Sequence, residues 1–184
     1  QLPDTIAQCA AEWSITLQHQ FSELSYNYVA LAYTENGTSV VLKAGVPHAE
    51  FSGEVEALST FNGKGISKLL KADIRRGVML LEHLQPGSYL SDLRNDEDIT
   101  LHAISVMQKL HTPAPQAHAF RGVSSWANRA FKNIQNTELP RDLLSQAKSI
   151  FTDLAKPNHE HILIHGDFHP QNILNATRES WLAI

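Results

Sequence analysis

The chain has 184 residues, of which 42% are apolar and 18% charged, and its formal net charge is −4. This length is enough for one domain or two small lobes, no basic stripe indicates a nucleic-acid partner, and no apolar run approaches the ~18 residues of a membrane span. Cys9 is the only cysteine, which excludes an intrachain disulfide and fits a reducing, cytoplasmic environment.

The N-terminal third predicts one helix followed by three antiparallel strands. Apolar residues at helical spacing favour a helix over residues 3–13, and Asn36-Gly37 is a strong hairpin signal between the second and third strands. In the polar turn between the first two strands, Ser25 and Asn27 are candidates to donate hydrogen bonds to a phosphate group. The predicted strands span residues 15–21, 28–34 and 39–44.

Lys43 stands near the end of the third strand, directly after Val40-Val41-Leu42. This pattern is typical of the lysine that reaches the α- and β-phosphates of a nucleotide, although lysines also protect edge strands from aggregation. The amphipathic helix predicted over residues 47–61 favours the first interpretation, because its polar side carries carboxylates that can hold the ammonium group. Glu54 and Glu56 are the two candidates for this pairing.

Beyond this helix the elements change from strands to helices, an order typical of an α+β protein. Two strands, over residues 69–74 and 78–81, precede a turn-rich stretch. Asp96-Glu97-Asp98 is predicted to cap a helix that closes at His111-Thr112-Pro113. After a linker come two more helices. They span residues 125–134 and 140–155, and the second is expected to face inward with Leu143, Ala147, Ile150 and Leu154.

The last motif is a polar loop, residues 165–172, clamped between two short apolar strands. Asp167 supplies a carboxylate that can orient an attacking hydroxyl, and Asn172 offers a carbonyl oxygen to a hard cation such as Mg²⁺. Their spacing matches the Asp and Asn of the protein-kinase catalytic loop, H-R-D-x-x-x-x-N. Gly166 takes the place of the Arg, which argues against a protein kinase switched by activation-loop phosphorylation.

The whole loop, His165-Gly166-Asp167-Phe168-His169-Pro170-Gln171-Asn172, resembles the H-G-D-x-x-x-x-N signature of the aminoglycoside phosphotransferase family, small-molecule kinases with a protein-kinase-like fold. Trp181-Leu182-Ala183-Ile184 resembles a W-L-A-I run found in one branch of the family, that of streptomycin 6-phosphotransferases and hydroxyurea phosphotransferases. In that branch a W-L-A-I run leads into D-P-K-G, whose Asp is the second metal ligand. The resemblance implies a chain truncated just before this ligand.

The resemblance also implies a domain organisation and a hinge. The expected fold is α+β and protein-kinase-like, with an antiparallel-sheet N-lobe and an incomplete, mainly helical C-lobe. Backbone groups at Glu82 and Leu84 are the expected contacts for an adenine ring, and Glu54 fits the family's E-x-E-x-L pattern better than Glu56. The implied parts are an N-lobe over residues 1–82, a hinge over 83–87 and a partial C-lobe over 88–184.

The implied activity is ATP-dependent phosphorylation of a hydroxyl group on a small molecule, with ATP and Mg²⁺ as cofactors. An aminoglycoside-type antibiotic such as streptomycin is the first expectation for the acceptor, and hydroxyurea is the second. Lys43 would hold the phosphates and Asn172 the Mg²⁺. Asp167 would accept or orient the proton of the acceptor hydroxyl, and His169 would donate a hydrogen bond to the transferred phosphate.

Two alternatives stay open at this point. Ten histidines are unusual for this length, and on a straight strand His165, Asp167 and His169 would share one face, as the ligands of a metal-dependent hydrolase can. Gly166 and Pro170 make a straight strand there unfavourable. The second alternative is an inactive kinase-like fragment that keeps the nucleotide-binding elements without catalysing a reaction.

Overall fold

The computed structural model describes residues 2–21, 27–116, 118, 120–134, 139–154, 156 and 161–184. The chain forms two compact units, one of Gln1–Thr112 with Leu163–Ile184 and one of Pro113–Ile162. The described helices are α1 (Leu2–Glu12), α2 (Ala49–Phe61), α3 (Asp96–Leu110), α4 (Val123–Asn133) and α5 (Arg141–Leu154). No described helix has the length and apolar character needed to cross a membrane.

The strands of the first unit make two sheets. The larger sheet is antiparallel, with the order β1-β2-β3-β5-β4, and the smaller has the order β10-β9-β6. The two-residue strands β7 and β8 pair with each other. The bounds are β1 (Ile15–Gln20), β2 (Tyr28–Thr34), β3 (Ser39–Ala44), β4 (Leu69–Asp73), β5 (Val78–Glu82), β6 (Pro86–Tyr89), β7 (Thr112–Pro113), β8 (Ile162–Leu163), β9 (Ile173–Ala176) and β10 (Trp181–Ala183).

The side chains of strand β3 alternate between the two faces of the larger sheet. Val40, Leu42 and Ala44 are buried in the same apolar cluster as Ile6 and Cys9 of α1. Because neighbouring residues of a strand point to opposite faces, Lys43 lies on the other face of the sheet. Helix α2 buries its own apolar stripe of Phe51, Val55, Leu58 and Phe61, as the sequence pattern predicted.

The segment between α2 and β4, residues 63–67, is bonded to the smaller sheet. The Ser67 amide donates to the Ala183 carbonyl at 2.9 Å, the Ala183 amide donates to the Gly65 carbonyl at 3.0 Å, and Ile66 forms a parallel bridge with Ala183. Ile66 and Ser67 are almost fully buried. The segment after α2 is therefore fixed on β10. Strand β10 pairs with β9, which directly follows the loop 165–172.

The expectation that α5 buries its apolar stripe is wrong. Leu143, Ile150 and Leu154 are 53%, 56% and 76% exposed, and α5 buries no residue completely. In the described part of its unit α5 packs on α4, where the rings of Phe131 and Phe151 lie 5.8 Å apart. A single neighbouring helix covers too little of the stripe to bury it.

The cap of α3 and the stretch that contains β6 also differ from their sequence-based predictions. Asn95 caps α3 in place of the acidic triplet, because its side chain accepts a hydrogen bond from the Glu97 amide at 3.0 Å. Strand β6 begins at Pro86, within the stretch expected to be a turn. Of its residues, Pro-Gly-Ser-Tyr, only Tyr89 favours a strand, so this strand depends on its pairing with β9.

We predict that Gly65→Ala lowers the free energy of unfolding by at least ~1–2 kcal/mol, the cost of a left-handed backbone for an L-residue. Gly65 has φ +70°, and an added Cβ would lie 2.8 Å from Cβ of Lys109 on α3. Gly53→Ala in α2 is the matched control: an added Cβ there meets no atom within 4 Å, and stability should rise by ~0.5–1 kcal/mol. Urea unfolding measures both, and an unchanged midpoint for Gly65→Ala would contradict the tight docking.

Candidate functional site

An ion pair joins the larger sheet to α2. Lys43 Nζ donates to Glu54 Oε1 at 2.5 Å, and the two side chains are 22% and 37% exposed. Glu54 lies on α2, and the buried side chains of Val55 and Leu58 anchor this part of the helix. The helix therefore holds Glu54 in place. The structure therefore pairs Lys43 with Glu54, the choice that the family pattern favoured over Glu56.

The start of α2 is fixed by its own N-cap. Nδ1 of His48 accepts hydrogen bonds from the amides of Glu50 and Phe51, at 3.1 and 3.2 Å. An imidazole nitrogen can do so only while it carries no proton. The cap satisfies two of the amides that a helix start leaves open, and so it fixes the first turn of the helix that carries Glu54.

The loop 165–172 forms a compact turn in which Asn172 holds Asp167. Asn172 Nδ2 donates to both the backbone oxygen and Oδ2 of Asp167, each at 2.9 Å. Gly166 allows the turn with φ +88°, and the Asp167 side chain remains 79% exposed. The carboxylate is thus oriented by a neighbour yet open to an incoming molecule.

His169 lies beside the same carboxylate. Its Nε2 is 3.7 Å from Asp167 Oδ1, which is too long for a hydrogen bond but close enough for a protonated imidazole to be attracted. The exposed carboxylate, the amide of Asn172 and this imidazole form one polar cluster on a single loop. These three residue types can orient a hydroxyl group, bind a hard cation and donate to an anion.

His165 has a structural position under this loop. Its Nε2 is 3.0 Å from the Ile184 carbonyl oxygen, and its Nδ1 accepts from the Asp167 amide at 3.4 Å. These contacts require the neutral ring with its proton on Nε2, and burial lowers the pKa of His165 in agreement. Both nitrogens are therefore engaged within the protein, so His165 is not available as a metal ligand.

The hydrolase alternative loses its ligand set for this reason. In the part of the chain that the structure describes, no three His, Cys, Asp or Glu side chains converge in a way that could hold a metal ion. The proposed set of His165, Asp167 and His169 is not assembled. As the sequence suggested, Gly166 and Pro170 fold the segment into a turn instead of a straight strand.

The hairpin of β9 and β10 brings two ends of the site together. Asn172 directly precedes β9, Ile184 directly follows β10, and the Ile184 amide donates to the Asn172 carbonyl at 3.0 Å. The hairpin register pairs Leu182 with Leu174 and Ala183 with Ile173. The end of β10 is therefore bonded to the backbone of Asn172, the residue with which the loop 165–172 ends.

The two hinge candidates have different environments. Glu82 ends β5, and its carboxylate accepts from Arg178 Nε and Nη2 at 2.9 Å each and from the Lys68 amide at 3.0 Å. Burial works to raise the pKa of Glu82, but these hydrogen bonds outweigh it and hold that pKa below its ordinary range. Leu84 is buried against Leu182 of β10. The Glu82 carboxylate is already bonded within the protein, and the Leu84 side chain has no polar group. Any recognition of a base here therefore depends on the backbone.

The phosphate-loop candidates are only partly described. Ser25 lies outside the described residues. Asn27 directly precedes β2, and its Oδ1 lies so close to Gly45 that a Cβ on this glycine would be 2.3 Å away. Because Gly45 is two residues after Lys43, Asn27 lies at the end of the sheet that carries the ion pair.

Comparison with known proteins agrees with this geometry. The sequence profile of a family described as aminoglycoside/hydroxyurea antibiotic resistance kinase matches residues 12–184. The chain belongs to this family. It is 28% identical to streptomycin 6-kinase of Streptomyces glaucescens and 27% identical to hydroxyurea phosphotransferase of Kitasatospora aureofaciens, in both cases across the whole chain. It spans 61% and 56% of the lengths of these relatives.

Solved structures confirm the predicted α+β, kinase-like fold. A choline/ethanolamine kinase family protein from Mesorhizobium loti superposes with a TM-score of 0.69, at 18% identity, and the match covers 100% of this chain and 64% of that one. Macrolide 2′-phosphotransferase MphH from Brachybacterium faecium gives a TM-score of 0.64 at 18% identity, over 96% of this chain and 69% of that one. At such identities the likeness establishes the fold alone.

Sequence reasoning missed one group of residues near the hinge. Arg178 and Glu179 stand three and two positions before Trp181, the first residue of the apolar run that resembles the family. That run predicts nothing about the two charged residues. In the structure Arg178 binds Glu82 and Glu179 binds Lys109 of α3 at 2.7 Å. An adjacent Arg-Glu pair in a short turn is common on surfaces, so spacing alone could not have identified these contacts.

We predict that His165→Asn flattens the pH dependence of stability between pH 7.5 and 5. Because the pKa of His165 is lower in the folded state, the unfolded state binds more protons in this range. The stabilisation is complete above the ordinary pKa of about 6.5 and is lost as the pH falls below it. Loss of the bond to Ile184 should also cost ~1 kcal/mol at pH 7.5.

Thermal or urea unfolding at several pH values measures this effect. His111→Asn is the control, because His111 is exposed at the end of α3. Equal slopes of stability against pH for wild type and His165→Asn would show that His165 is not held as a neutral ring.

Proposed function

We propose that the protein catalyses ATP-dependent phosphoryl transfer to a hydroxyl group of a small molecule. The observation that carries this proposal is the presence, within one compact unit, of the Lys43–Glu54 pair and the Asp167–Asn172 turn. Phosphoryl transfer needs groups of these kinds, because the protein mainly positions the phosphates and stabilises charge. Membership of a kinase family supports the proposal.

In this proposal Lys43 binds the α- and β-phosphates of ATP, and Glu54 keeps its ammonium group pointed toward them. Backbone groups at Glu82 and Leu84 bind the adenine ring, and the buried side chain of Leu84 packs against Leu182 of β10 and so holds the hinge segment in place. Asn27, at the end of the same sheet, is proposed to donate to phosphate oxygens, and so is Ser25, which lies outside the described residues. Nucleotide binding then spans one sheet and its hinge.

Asn172 would hold the Mg²⁺ ion, and the residues present fit such a group. Its Nδ2 is bound by Asp167, so the opposite side of the amide presents Oδ1, an oxygen ligand of the kind that Mg²⁺ prefers. The Ile184 amide donates to the Asn172 carbonyl at 3.0 Å, and this bond holds the backbone of the proposed ligand in place. When bound, the ion would neutralise phosphate charge during transfer.

Asp167 is proposed to orient the acceptor hydroxyl and to accept its proton as the bond to phosphorus forms. Its exposure makes it reachable by an acceptor, and the two hydrogen bonds from Asn172 fix its direction. His169 is proposed to donate a hydrogen bond to the transferred phosphate, an interaction that would be stronger with a protonated ring.

For the acceptor we propose an aminoglycoside-type antibiotic such as streptomycin, with hydroxyurea as the second choice. The support is the names of the relatives, streptomycin 6-kinase and hydroxyurea phosphotransferase, which match this chain at similar identity. The test is incubation of the full-length protein with ATP, Mg²⁺ and each acceptor, followed by ³¹P NMR. A new phosphate ester is expected with one acceptor; ATP binding without any product would indicate an inactive kinase-like protein.

We predict that Glu54→Gln lowers kcat/KM for ATP about 10- to 100-fold, because a charge-assisted hydrogen bond contributes ~1.5–3 kcal/mol. Glu56→Gln is the matched control, since it makes the same change two residues away on the same helix, and it should alter kcat/KM less than about twofold. Steady-state kinetics at varied ATP measures both. Equal effects of the two substitutions would remove Glu54 from its assigned role.

We predict that Asp167→Asn lowers kcat by ~10²–10⁴-fold, the usual contribution of a general base, while KM for ATP changes little. Asp98→Asn alters an exposed carboxylate of α3 in the same unit and should leave kcat unchanged. Single-turnover kinetics with ATP and the accepted hydroxyl compound gives the chemical step directly. Wild-type turnover in Asp167→Asn would sink the assignment.

A further inference from the structure

Arg178 lies in the turn between β9 and β10 and uses every N–H of its guanidinium group. Nε and Nη2 donate to the two carboxylate oxygens of Glu82, both at 2.9 Å. Nη1 donates to the Gly63 carbonyl at 3.0 Å and to Glu179 Oε1 at 2.9 Å, and Nη2 donates to the Ile66 carbonyl at 2.9 Å. These five hydrogen bonds satisfy all five donors that an arginine carries.

The partners of Arg178 come from different parts of the first unit. Glu82 ends β5 of the larger sheet, and Gly63 and Ile66 belong to the segment that follows α2. Glu179 in turn binds Lys109 of α3 at 2.7 Å. We call this set of Arg178, Glu82, Glu179 and Lys109, with the two carbonyl groups, the Arg178 network. It joins the larger sheet, the end of α2, the hairpin and α3 at one point.

A backbone contact makes the same connection next to the network. The Thr177 amide donates to the Gln85 carbonyl at 2.7 Å, and Thr177 Oγ1 donates to the same oxygen at 3.2 Å. Gln85 lies in the stretch expected to be the hinge. The turn of the hairpin is thus bonded to the hinge through the backbone of Thr177. One residue later, the guanidinium group of Arg178 adds the two-pronged bond to Glu82.

The network lies at the opposite end of the hairpin from the proposed catalytic loop. Strand β9 begins directly after Asn172 and ends at Ala176, two residues before Arg178. On the other side, the residue after Glu82 begins the proposed nucleotide hinge, and the segment of Gly63 and Ile66 continues the helix that carries Glu54. The hairpin therefore connects the proposed nucleotide-binding groups at one end with the proposed catalytic groups at the other.

We propose that Arg178 is a positioning residue for phosphoryl transfer. It fixes the hinge and the end of α2 on the hairpin, and thereby fixes the distance between the bound phosphates and the Asp167–Asn172 turn. The inference rests on the proposed function. Lysine cannot replace arginine here, because a single ammonium group cannot bind both oxygens of Glu82 and reach two carbonyls in fixed directions.

The test compares Arg178→Lys with Arg76→Lys in the full-length protein. Arg76 is a matched control: its side chain is also 26% exposed, and it binds two carboxylates, Glu12 and Asp73. It joins α1 to the turn between β4 and β5, which contains none of the proposed site residues. Both substitutions keep the charge and remove the fork, so both should lower the melting temperature.

The expected result is a separation of activity from stability. At a temperature where both variants are folded, Arg178→Lys should lower kcat about 10- to 100-fold, because small displacements of reacting groups have effects of this size. KM for ATP should stay within about threefold of wild type, and Arg76→Lys should keep wild-type kcat. Equal kcat in the two variants, or an effect of Arg178→Lys on KM alone, would overturn the inference.

A second variant keeps the inference testable if Arg178→Lys does not fold. Glu82→Gln retains the hydrogen-bond shape but removes the charge that pairs with Arg178, and it should lower kcat about 3- to 10-fold without changing KM. In the double variant the two effects should not multiply, since both act through one contact. A wild-type protein that transfers no phosphate would refute the proposed function itself, whereas an active wild type with an equally active Glu82→Gln would refute only the role of Arg178.

Discussion

The backbone pairing of residues 63–67 with β10 is the constraint on which the rest of the first unit depends. Gly65 and Ser67 each form one amide-to-carbonyl hydrogen bond with Ala183, and these two bonds make Ile66 and Ala183 a parallel bridge. Backbone hydrogen bonds at buried positions cannot exchange for water without a large cost. They therefore hold the segment after α2 against the hairpin of β9 and β10, whose first strand directly follows Asn172.

The charged groups of the unit lie at the ends of this arrangement. The Lys43–Glu54 pair is on the larger sheet and α2, and the Asp167–Asn172 turn precedes the hairpin. Neither pair is strongly buried, so each contributes modestly to stability. Lys43 is 22% exposed and Asp167 79% exposed, which in the proposed function leaves both groups within reach of a substrate. His165 contacts the second group as a neutral ring: its Nδ1 accepts from the Asp167 amide, while its Nε2 donates to the Ile184 carbonyl.

The sequence predicted the parts that depend on local patterns. Alternation placed the strands, helical spacing placed α2 and α3, and the H-G-D-x-x-x-x-N motif led to the family and the fold. It could not predict β6, whose Pro-Gly-Ser-Tyr segment becomes a strand only through pairing with β9, or the exposure of α5. The Arg178 contacts were also hidden, because Glu82 and Arg178 are 96 residues apart and meet only through tertiary structure.

The most direct test of the account is a calorimetric titration of the full-length protein with ATP, with and without Mg²⁺, for wild type and for Asn172→Ala. We expect micromolar to millimolar binding that Mg²⁺ strengthens in the wild type and no longer strengthens in the variant, because Asn172 supplies an oxygen ligand to the ion. A folded wild-type protein that binds no ATP would contradict the central claim, that these two pairs form one nucleotide-dependent site.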